Sequence, residues 1–246
     1  MARTVAWYSK GAASAVMVKL ELLDRPLTIA TCDTGAEHED NHRFQADCEK
    51  WFGQPIEVLK NPDYEDTWDV WEKRKFISGP HGAPCTGELK ISPRLLFQRH
   101  DDIHLFGYTN DKRDIERLAN LRENFFELNI RAPLIEHGLS KANCLALLQG
   151  AGIAEPVTYG MGFPNANCLK SGCGKASSPD YWSLHRKMFP EGFAKTAALA
   201  RKLGARLARI NDVRVFIDDI PADWPTTNPI APECDLLCDS IRRQLA

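Results

Sequence analysis

The order of three short segments at the start of the chain constrains the fold most. Residues 4–8 are apolar enough for a buried strand, and Val16, Leu20 and Leu23 then recur at the spacing of a helix. The turn between them, residues 9–14, is rich in Ser, Gly and Ala. A strand, a tight turn and a helix in this order form the first unit of a parallel α/β sheet.

The alternation of strand and helix continues through the first half of the chain. The pattern predicts further strands at 27–31, 56–59 and 103–108, and helices at 12–23, 41–52, 67–76 and 111–123. We therefore expect an α/β fold with a parallel, twisted sheet and helices on both faces. In such sheets ligands bind at the carboxyl ends of the strands.

The pattern changes beyond Arg131. We expect helices at 140–151, 182–189 and 193–207, an irregular segment rich in Gly, Asn and Cys at 159–175, and a strand at 213–217. A proline-rich tail follows, with Cys234 and Cys238 spaced to share one helical face. The sequence therefore predicts a core at residues 1–135 and a small helical, cysteine-bearing extension at 136–246, packed on that core.

Composition and charge limit the classes of function. With 246 residues, 43% apolar and 26% charged, the chain can fold as a globular protein. A net charge of -2 gives no global attraction to nucleic acid, so such a partner would need a local basic patch or another subunit. No leader and no membrane-spanning stretch is recognisable, which predicts a cytoplasmic protein without a membrane partner. Eight cysteines in that compartment favour metal binding or sulfur chemistry over disulfides.

The turn at residues 9–14 suits an anion. A small-residue turn that leads into a helix directs backbone N–H groups and the positive helix end at one point, where a polyphosphate can approach closely. Turns of this composition also join strands to helices for packing alone, and that alternative stays open on this evidence.

The segment Tyr8-Ser9-Lys10-Gly11-Ala12-Ala13-Ser14 resembles the Ser-Gly-Gly-x-Asp-Ser loop of the PP-loop ATP pyrophosphatase and PAPS reductase superfamily. The resemblance implies that these residues bind ATP with Mg²⁺. Lys10 stands where the family usually has glycine, and Ala13 where it often has the aspartate associated with magnesium-pyrophosphate. Asp33 or Asp111 could take over the role of that carboxylate.

Two further motifs extend the resemblance, Asp33-Thr34-Gly35 after the second strand and Gly107-Tyr108-Thr109 after the fourth. The resemblance implies an adenine nucleotide alpha-hydrolase-like fold, with Asp33, Thr34, Gly107 and Tyr108 among the nucleotide-binding residues. For Asp33 an Asx turn at the strand end, and for Tyr108 simple core packing, are the alternatives.

The cysteines fall into two groups. The segments Pro84-Cys85-Thr86-Gly87-Glu88-Leu89-Lys90-Ile91-Ser92-Pro93 and Asn165-Ala166-Asn167-Cys168-Leu169-Lys170-Ser171-Gly172-Cys173-Gly174-Lys175 resemble the cysteine segments of iron–sulfur members of the PAPS reductase superfamily. We expect a [4Fe-4S] cluster on Cys85, Cys168 and Cys173, with Cys234 or Cys238 as fourth ligand or with the fourth iron open to sulfur.

Several points about this site remain open on the sequence alone. Zinc is the alternative metal, and one of the five cysteines could carry a persulfide. Cys32, Cys48 and Cys144 lie in apolar patterns and are expected to be small buried hydrophobes. The histidines lack paired ligand spacing, and we expect His38, His81 and His185 to face solvent.

The resemblance implies an ATP-dependent sulfurtransferase that cleaves ATP between its α- and β-phosphates, with Lys10, Cys85 and Arg113 as catalytic residues. The chain most resembles the ATP pyrophosphatase component of DNA phosphorothioation systems, in which a cysteine desulfurase donates sulfur and DNA accepts it. A tRNA-thiolating enzyme, a sulfonucleotide reductase acting on PAPS or APS, and a catalytically silent nucleotide-binding subunit, motivated by Ala13, are the alternatives.

Overall fold

The computed structural model describes residues 2–166, 168–234 and 236–245, with the backbone alone at 236 and 237. Asn167 and Asp235, which belong to the two cysteine groups, lie outside the described residues. The strands of the larger sheet are β1 (Thr4–Trp7), β2 (Thr28–Cys32), β3 (Glu57–Leu59), β4 (Ile103–Phe106) and β5 (Asn129–Arg131), and a hairpin is formed by β6 (Ala208–Ile210) and β7 (Val213–Val215).

The helices lie between and after these strands. They are α1 (Ala12–Glu21), α2 (Asp40–Phe52), α3 (Thr67–Arg74), α4 (Pro84–Thr86), α5 (Ser92–Phe97), α6 (Lys112–Asn124), α7 (Pro133–Glu136), α8 (Lys141–Gly150), α9 (Val157–Gly160), α10 (Pro179–Met188), α11 (Pro190–Leu203) and α12 (Leu236–Leu245), with a π-helical turn at Gly87–Ile91 and a 3₁₀ turn at Ile217–Asp219. No helix in these described ranges is long and apolar enough to cross a membrane.

The larger sheet has the order β3-β2-β1-β4-β5, and all its neighbouring strands are parallel. Central β1 is buried on both faces, as strands of parallel sheets covered by helices are. The predicted α/β class is thereby confirmed. Strand β5 was not predicted, because three residues after a charged helix give no readable alternation.

The two faces of the sheet are covered unequally. On one face Ala6, Ile29 and Leu105 pack in a large apolar cluster that includes residues of α1, α8 and α12. On the other face Val5, Trp7 and Ala30 form a small cluster, against which Phe97 of α5 packs. The loops at the sheet's carboxyl edge therefore lie between the large apolar cluster on one face and the small cluster on the other.

A second apolar cluster lies outside the sheet and contains Trp71, Ile77, Phe163, Trp182 and Leu207. Helix α3 contributes to it, whereas α8 and α12 contribute to the first cluster. Helices from both sides of residue 135 thus take part in both clusters, and the division at that residue stays a prediction.

The segment around Cys85 is more regular than its composition indicated. Residues 78–84 are rich in Gly and Pro, a composition typical of a loop, but the chain becomes helical at Pro84 and continues through the π-helical turn into α5. Proline is tolerated in the first turn of a helix, where its missing N–H has no helical acceptor, and Pro84 stands there. Pro93 follows directly after the π-helical turn, at the start of α5.

Hairpin β6–β7 corrects the single strand expected at 213–217. Asn211 and Asp212, which connect the two strands, both have positive φ, 46° and 62°. Two adjacent left-handed residues form the type I′ turn that joins antiparallel strands. Strand β7 pairs only with β6 in the described sheets, so it is separate from the parallel sheet.

Candidate functional site

The predicted site residues lie where the strands of the larger sheet end. Three loops meet at this edge: residues 8–14 after β1, 33–39 after β2 and 107–111 after β4. Strand order reverses at β1, which lies between β2 and β4. In open α/β sheets such a reversal opens a crevice at the carboxyl edge, and that crevice is the usual ligand site.

The phosphate loop (residues 9–14) closes around the hydroxyl of Ser14. Ser14 Oγ accepts hydrogen bonds from the backbone N–H of Ser9 at 3.0 Å and of Gly11 at 3.4 Å, and donates to the Gly11 carbonyl at 2.9 Å. Ser9 is the exposed residue of the loop. Ser14 therefore holds the loop in shape, and an entering ligand meets Ser9 first.

Lys10 is buried and paired. Its Nζ lies 2.6 Å from Oε2 of Glu37, and only 3% of the lysine side chain and 10% of the glutamate side chain are exposed. The backbone at Lys10 has φ of 55°, the left-handed region in which glycine is unstrained and other residues are rare. The predicted catalytic lysine thus lies at the loop with its charge already balanced.

Tyr159 of α9 closes the other side of the phosphate loop. Its hydroxyl oxygen accepts a hydrogen bond from the N–H of Ala12 at 3.2 Å. A Cβ atom added to Gly11 would lie 3.0 Å from the same oxygen. The first amide of α1 is therefore capped by a side chain that lies 147 residues away in the sequence.

Gly107 and Tyr108 form the wall of the crevice after β4. A Cβ atom on Gly107 would lie 2.8 Å from Cα of Ser14, so only glycine lets this strand end approach the loop so closely. Tyr108 is half-buried with Arg117 5.0 Å above its ring. Burial raises the pKa of Tyr108, and the positive charge of Arg117 opposes that rise.

The motif after β2 faces the cysteines. Asp33 Oδ1 accepts the N–H of Gly35 at 2.9 Å, which is the Asx turn expected as the alternative role of Asp33. Gly35 has φ of 66°, and an added Cβ would lie 2.1 Å from the carbonyl of Glu65. The Thr34 hydroxyl lies 3.5 Å from Sγ of Cys168.

Two further predicted residues lie at the start of α6. Asp111 Oδ2 accepts hydrogen bonds from the Thr109 hydroxyl at 2.7 Å and from the Lys141 N–H at 3.1 Å. Arg113 is exposed in the first turn, and no ion pair links it to another described residue. Asp111 is thus engaged within the loop, while Arg113 stays available to a ligand.

Cys85, Cys168 and Cys173 all lie close enough to Lys90 to act on the charge of its amino group. Burial alone would lower the pKa of Lys90. The negative charges of Glu37 and of the three cysteines in their thiolate form have the opposite effect, and the pKa of Lys90 is raised overall. Burial raises the pKa of Cys85, and it raises that of Cys168 to about 11. Cys85 and Cys168 are therefore protonated near pH 7 unless a cation binds them.

The chemistry of this pocket fits a thiolate-bound group. The indole N–H of Trp71 lies beside Cys85 and opposes the rise of its pKa, yet this buried nitrogen has no hydrogen-bond acceptor of ordinary geometry. A sulfide or thiolate would satisfy it. In the conformation described, no three Cys, His, Asp or Glu side chains of the described ranges form a group that could hold a metal ion, so coordination would draw these sulfur atoms closer together.

The loop that carries Cys168 and Cys173 is fixed by hydrogen bonds despite its irregular backbone. The Tyr181 hydroxyl accepts the Cys173 N–H at 2.9 Å, and Ser171 Oγ accepts a hydrogen bond from Thr67 at 2.6 Å. Cys168 itself has φ of 54°. The second apolar cluster therefore serves as the scaffold of the cysteine pocket.

His185 corrects a prediction. We expected it to face solvent, and it is fully buried, with Nε2 2.8 Å from the carbonyl of Leu169. Burial lowers the pKa of His185 to about 4, so it is neutral at pH 7. Its helix lies under the cysteine loop, and the polar neighbours in the sequence, Arg186 and Lys187, point elsewhere on α10.

Arg94 is a buried cation without a carboxylate partner. It is 6% exposed, and its Nε and Nη2 atoms have no acceptor among the described residues. The guanidinium lies 4.3 Å from the ring centre of Phe125, and burial lowers its pKa. Both Arg94 and Lys90 lower the pKa of Tyr108 and of Cys32, so this side of the crevice is positive.

Cys234, which precedes α12, forms a disulfide with Cys238 of that helix. Cys238 is buried in the sheet cluster beside Asn143 of α8, whereas Cys85 and Cys173 border the second cluster. The structure thus pairs two cysteines for which we expected metal binding. Cys48 and Cys144 are fully buried as expected, and burial raises the pKa of each to about 12.

Three site residues were missed by the sequence analysis: Glu37, Tyr159 and Arg94. Glu37 follows the Asp33-Thr34-Gly35 motif by two residues, and that position could have suggested it. Arg94 lies four residues after Lys90, on the same helical face. Nothing in the local sequence marks Tyr159, because its contact with the loop depends on the packing of α9.

Comparisons with known proteins support the fold. No protein-family model matches the sequence, and no curated protein matches it significantly. A crystal structure of phosphoadenylyl-sulfate (PAPS) reductase from Candida auris, in complex with phosphate, superposes with a TM-score of 0.50 over 68% of this chain and 81% of that chain, at 11% sequence identity. This chain therefore shares the fold of a PAPS reductase.

Proposed function

We propose that this protein binds ATP at the phosphate loop, cleaves it between the α- and β-phosphates, and uses the activated acceptor for sulfur transfer at the cysteine pocket. One observation carries the proposal. Glu37 pairs with Lys10 of the phosphate loop at 2.6 Å and also acts on the charge of Lys90, as the three cysteines do. A nucleotide-activating site and a thiol site thus share one carboxylate.

The phosphate loop supplies the groups that α–β cleavage needs. Departing pyrophosphate requires positive charge and amide dipoles, which the N-terminus of α1, Lys10 and Arg113 provide. The superposed PAPS reductase is a complex with phosphate, which supports an oxyanion site in this fold. Ala13 replaces the usual aspartate, and Asp33 and Asp111 are both engaged, so Mg²⁺ would arrive bound to the nucleotide.

The chemistry takes place in two displacements. An oxygen of the acceptor's phosphate group attacks the α-phosphorus of ATP, the bond to the bridging oxygen breaks, and pyrophosphate leaves. Sulfur at the sulfide level then attacks the activated phosphorus, and AMP leaves with the oxygen. Persulfide sulfur from a desulfurase first takes up two electrons from a reductant to reach that level.

The cysteine pocket would hold the sulfur. A [4Fe-4S] cluster or zinc on Cys85, Cys168 and Cys173 would offer a coordination position that neither Cys234 nor Cys238 fills, since these two are bonded to each other. Lys90 balances the negative charge there. We propose a cytoplasmic protein with a cysteine desulfurase as donor and DNA as acceptor, met partly by other subunits because the net charge of the chain is -2.

A coupled assay tests this function. The purified protein, a cysteine desulfurase with ³⁵S-cysteine, a reductant and MgATP are incubated with duplex DNA or, in a second arm, with tRNA. We expect ³⁵S in DNA together with AMP and pyrophosphate. Incorporation into tRNA alone would move the acceptor to tRNA. Formation of ADP and phosphate, or sulfur transfer without ATP, would contradict the proposal.

The second candidate is a sulfonucleotide reductase, favoured by the fold it shares with PAPS reductase. Its substrate would bind at the same loop, and a C-terminal thiol would attack the sulfo group. Here the C-terminal cysteines form a disulfide and would need reduction first. Calorimetry with PAPS, APS and ATP separates the candidates, because a reductase binds the sulfonucleotides far more tightly than ATP.

A further inference from the structure

The hydroxyl group of Tyr159 lies at the point where the phosphate loop directs its amides. It accepts a hydrogen bond from the N–H of Ala12, the first helical residue of α1. Gly11, directly before it, leaves room for this oxygen, since a Cβ there would lie 3.0 Å away. The first turn of a helix favours anions through its free amides and its dipole.

In the described part of the chain, the Tyr159 hydroxyl donates no hydrogen bond. A tyrosine hydroxyl can accept from Ala12 and also donate one hydrogen bond. No acceptor for the Tyr159 proton lies among the residues that the structure describes. The side chain is 3% exposed, so bulk water does not readily satisfy the donor. An oxyanion at the loop would supply the missing acceptor.

The segment that carries Tyr159 is fixed to the first turn of α2. Asp40 accepts the Val157 N–H at 2.9 Å, and Arg43 donates to the carbonyls of Ala154 and Glu155, each at 2.9 Å. These contacts hold the backbone directly before α9 and the first residue of that helix. Tyr159 is therefore positioned before any ligand binds, which lowers the entropic cost of the contact.

We propose that Tyr159 is a phosphate-binding residue of the loop, and that its hydroxyl, held by the Ala12 amide, donates a hydrogen bond to an oxygen of the bound polyphosphate. Lys141, whose Nζ lies 5.2 Å from the centre of the Tyr159 ring and donates to Asn165, adds positive charge near this side chain. This inference rests on the proposed function, because it assumes that the loop binds a polyphosphate.

Calorimetry with inorganic pyrophosphate tests the role of Tyr159. Tyr159→Phe removes the hydroxyl and keeps the ring. Tyr64→Phe is the matched control, because the Tyr64 ring lies beside Lys73 and its hydroxyl forms no hydrogen bond with the phosphate loop in the described part of the chain. We expect Tyr159→Phe to bind pyrophosphate and ATP roughly tenfold more weakly or worse, as the loss of one hydrogen bond to a charged group implies. Adenosine should bind equally to wild type and to both variants.

The outcomes separate this inference from the proposed function. If wild type binds pyrophosphate and Tyr159→Phe binds it equally or more tightly, the hydroxyl does not contact the phosphate and the inference fails alone. A lower Tm of Tyr159→Phe with an unchanged Kd would assign it a helix-capping role and contradict the inference as well. If wild type binds neither pyrophosphate nor ATP, the proposed function itself fails.

Discussion

The ammonium group of Lys10 lies 2.6 Å from the carboxylate of Glu37, and the two side chains are almost completely buried. Lys10 belongs to the phosphate loop, and Glu37 follows β2. The pair joins the loops after two neighbouring strands at the edge where the cysteines also lie. The first prediction concerns this ion pair.

Glu37→Gln should destabilise the free protein and strengthen binding of pyrophosphate. The buried Lys10 loses its counter-charge, which costs about 3 kcal/mol of unfolding free energy. A polyphosphate can replace that charge, so the rise in Tm on adding pyrophosphate should be larger than in wild type. Differential scanning fluorimetry with and without pyrophosphate measures both effects.

Glu39→Gln, at an exposed position of the same segment, is the control and should behave as wild type. An unchanged Tm of Glu37→Gln, or a smaller shift with pyrophosphate, would show that the pair does not restrain Lys10.

Arg94→Met should stabilise the protein and weaken its activity. A buried guanidinium with two unsatisfied nitrogen atoms costs free energy, and the methionine side chain fills much of the same space. The loss of the contact with Phe125 reduces the gain, so we expect unfolding free energy to rise by about 1 kcal/mol. Urea unfolding measures it, and the coupled sulfur assay measures activity.

Arg99→Met, at an exposed position, serves as the control for Arg94→Met. Its free energy of unfolding and its activity in the sulfur assay should both be close to those of wild type. A stabilised Arg94→Met with full activity would mean that the buried charge has no function at the site.

The protein should lose stability in acid because of His185. Burial holds the pKa of His185 at about 4, below its ordinary value of 6.5. Between these values the unfolded chain binds a proton that the folded protein does not, so this contribution is complete above pH 6.5 and falls as the pH drops. The loss reaches about 3 kcal/mol by pH 4.

Urea unfolding at several pH values, with His185→Gln for comparison, checks this dependence. Rings of Phe163, Trp182, Phe189 and Phe193 surround His185, and the titratable neighbour Tyr181 stays neutral because burial raises its pKa. His185→Gln should be less stable than wild type at pH 7, and its free energy of unfolding should change less between pH 6.5 and pH 4. An equally steep curve in His185→Gln would assign the acid lability to other groups.

The fold was predictable from the sequence where periodicity is strong. Strands β1, β2 and β4 and their helices follow from apolar spacing, and the carboxyl edge as the site follows from their parallel order. Strands β5 and β6 were missed because their three residues carry no readable period, whereas β3, which is equally short, was predicted at 56–59. Contacts that depend on distant packing, such as Tyr159 with Ala12 and the burial of His185, were also beyond a local pattern.

Anaerobic purification should give a protein with about four irons and sulfides per chain and an absorption band near 400 nm. Cys85→Ala and Cys173→Ala should lose the band, whereas Cys234→Ala should keep it, because Cys234 is bonded to Cys238 and does not border the pocket. Iron, sulfide and zinc analysis measures this. If the protein contains stoichiometric zinc instead of iron and sulfide, the metal of the site is zinc and not an iron–sulfur cluster. Full metal content in Cys85→Ala and Cys173→Ala would contradict the assignment of these cysteines as ligands.

Analysis of the products from ATP tests the central claim most directly. The protein, with Mg²⁺, a desulfurase and nucleic acid, is incubated with ATP labelled at the α- or the γ-phosphate, beside Ser14→Ala, which loses the hydroxyl that closes the loop. We predict AMP and pyrophosphate in equal amounts from wild type and at least a tenfold lower rate from Ser14→Ala. ADP and phosphate as products, or equal rates for both proteins, would contradict α–β cleavage at this loop.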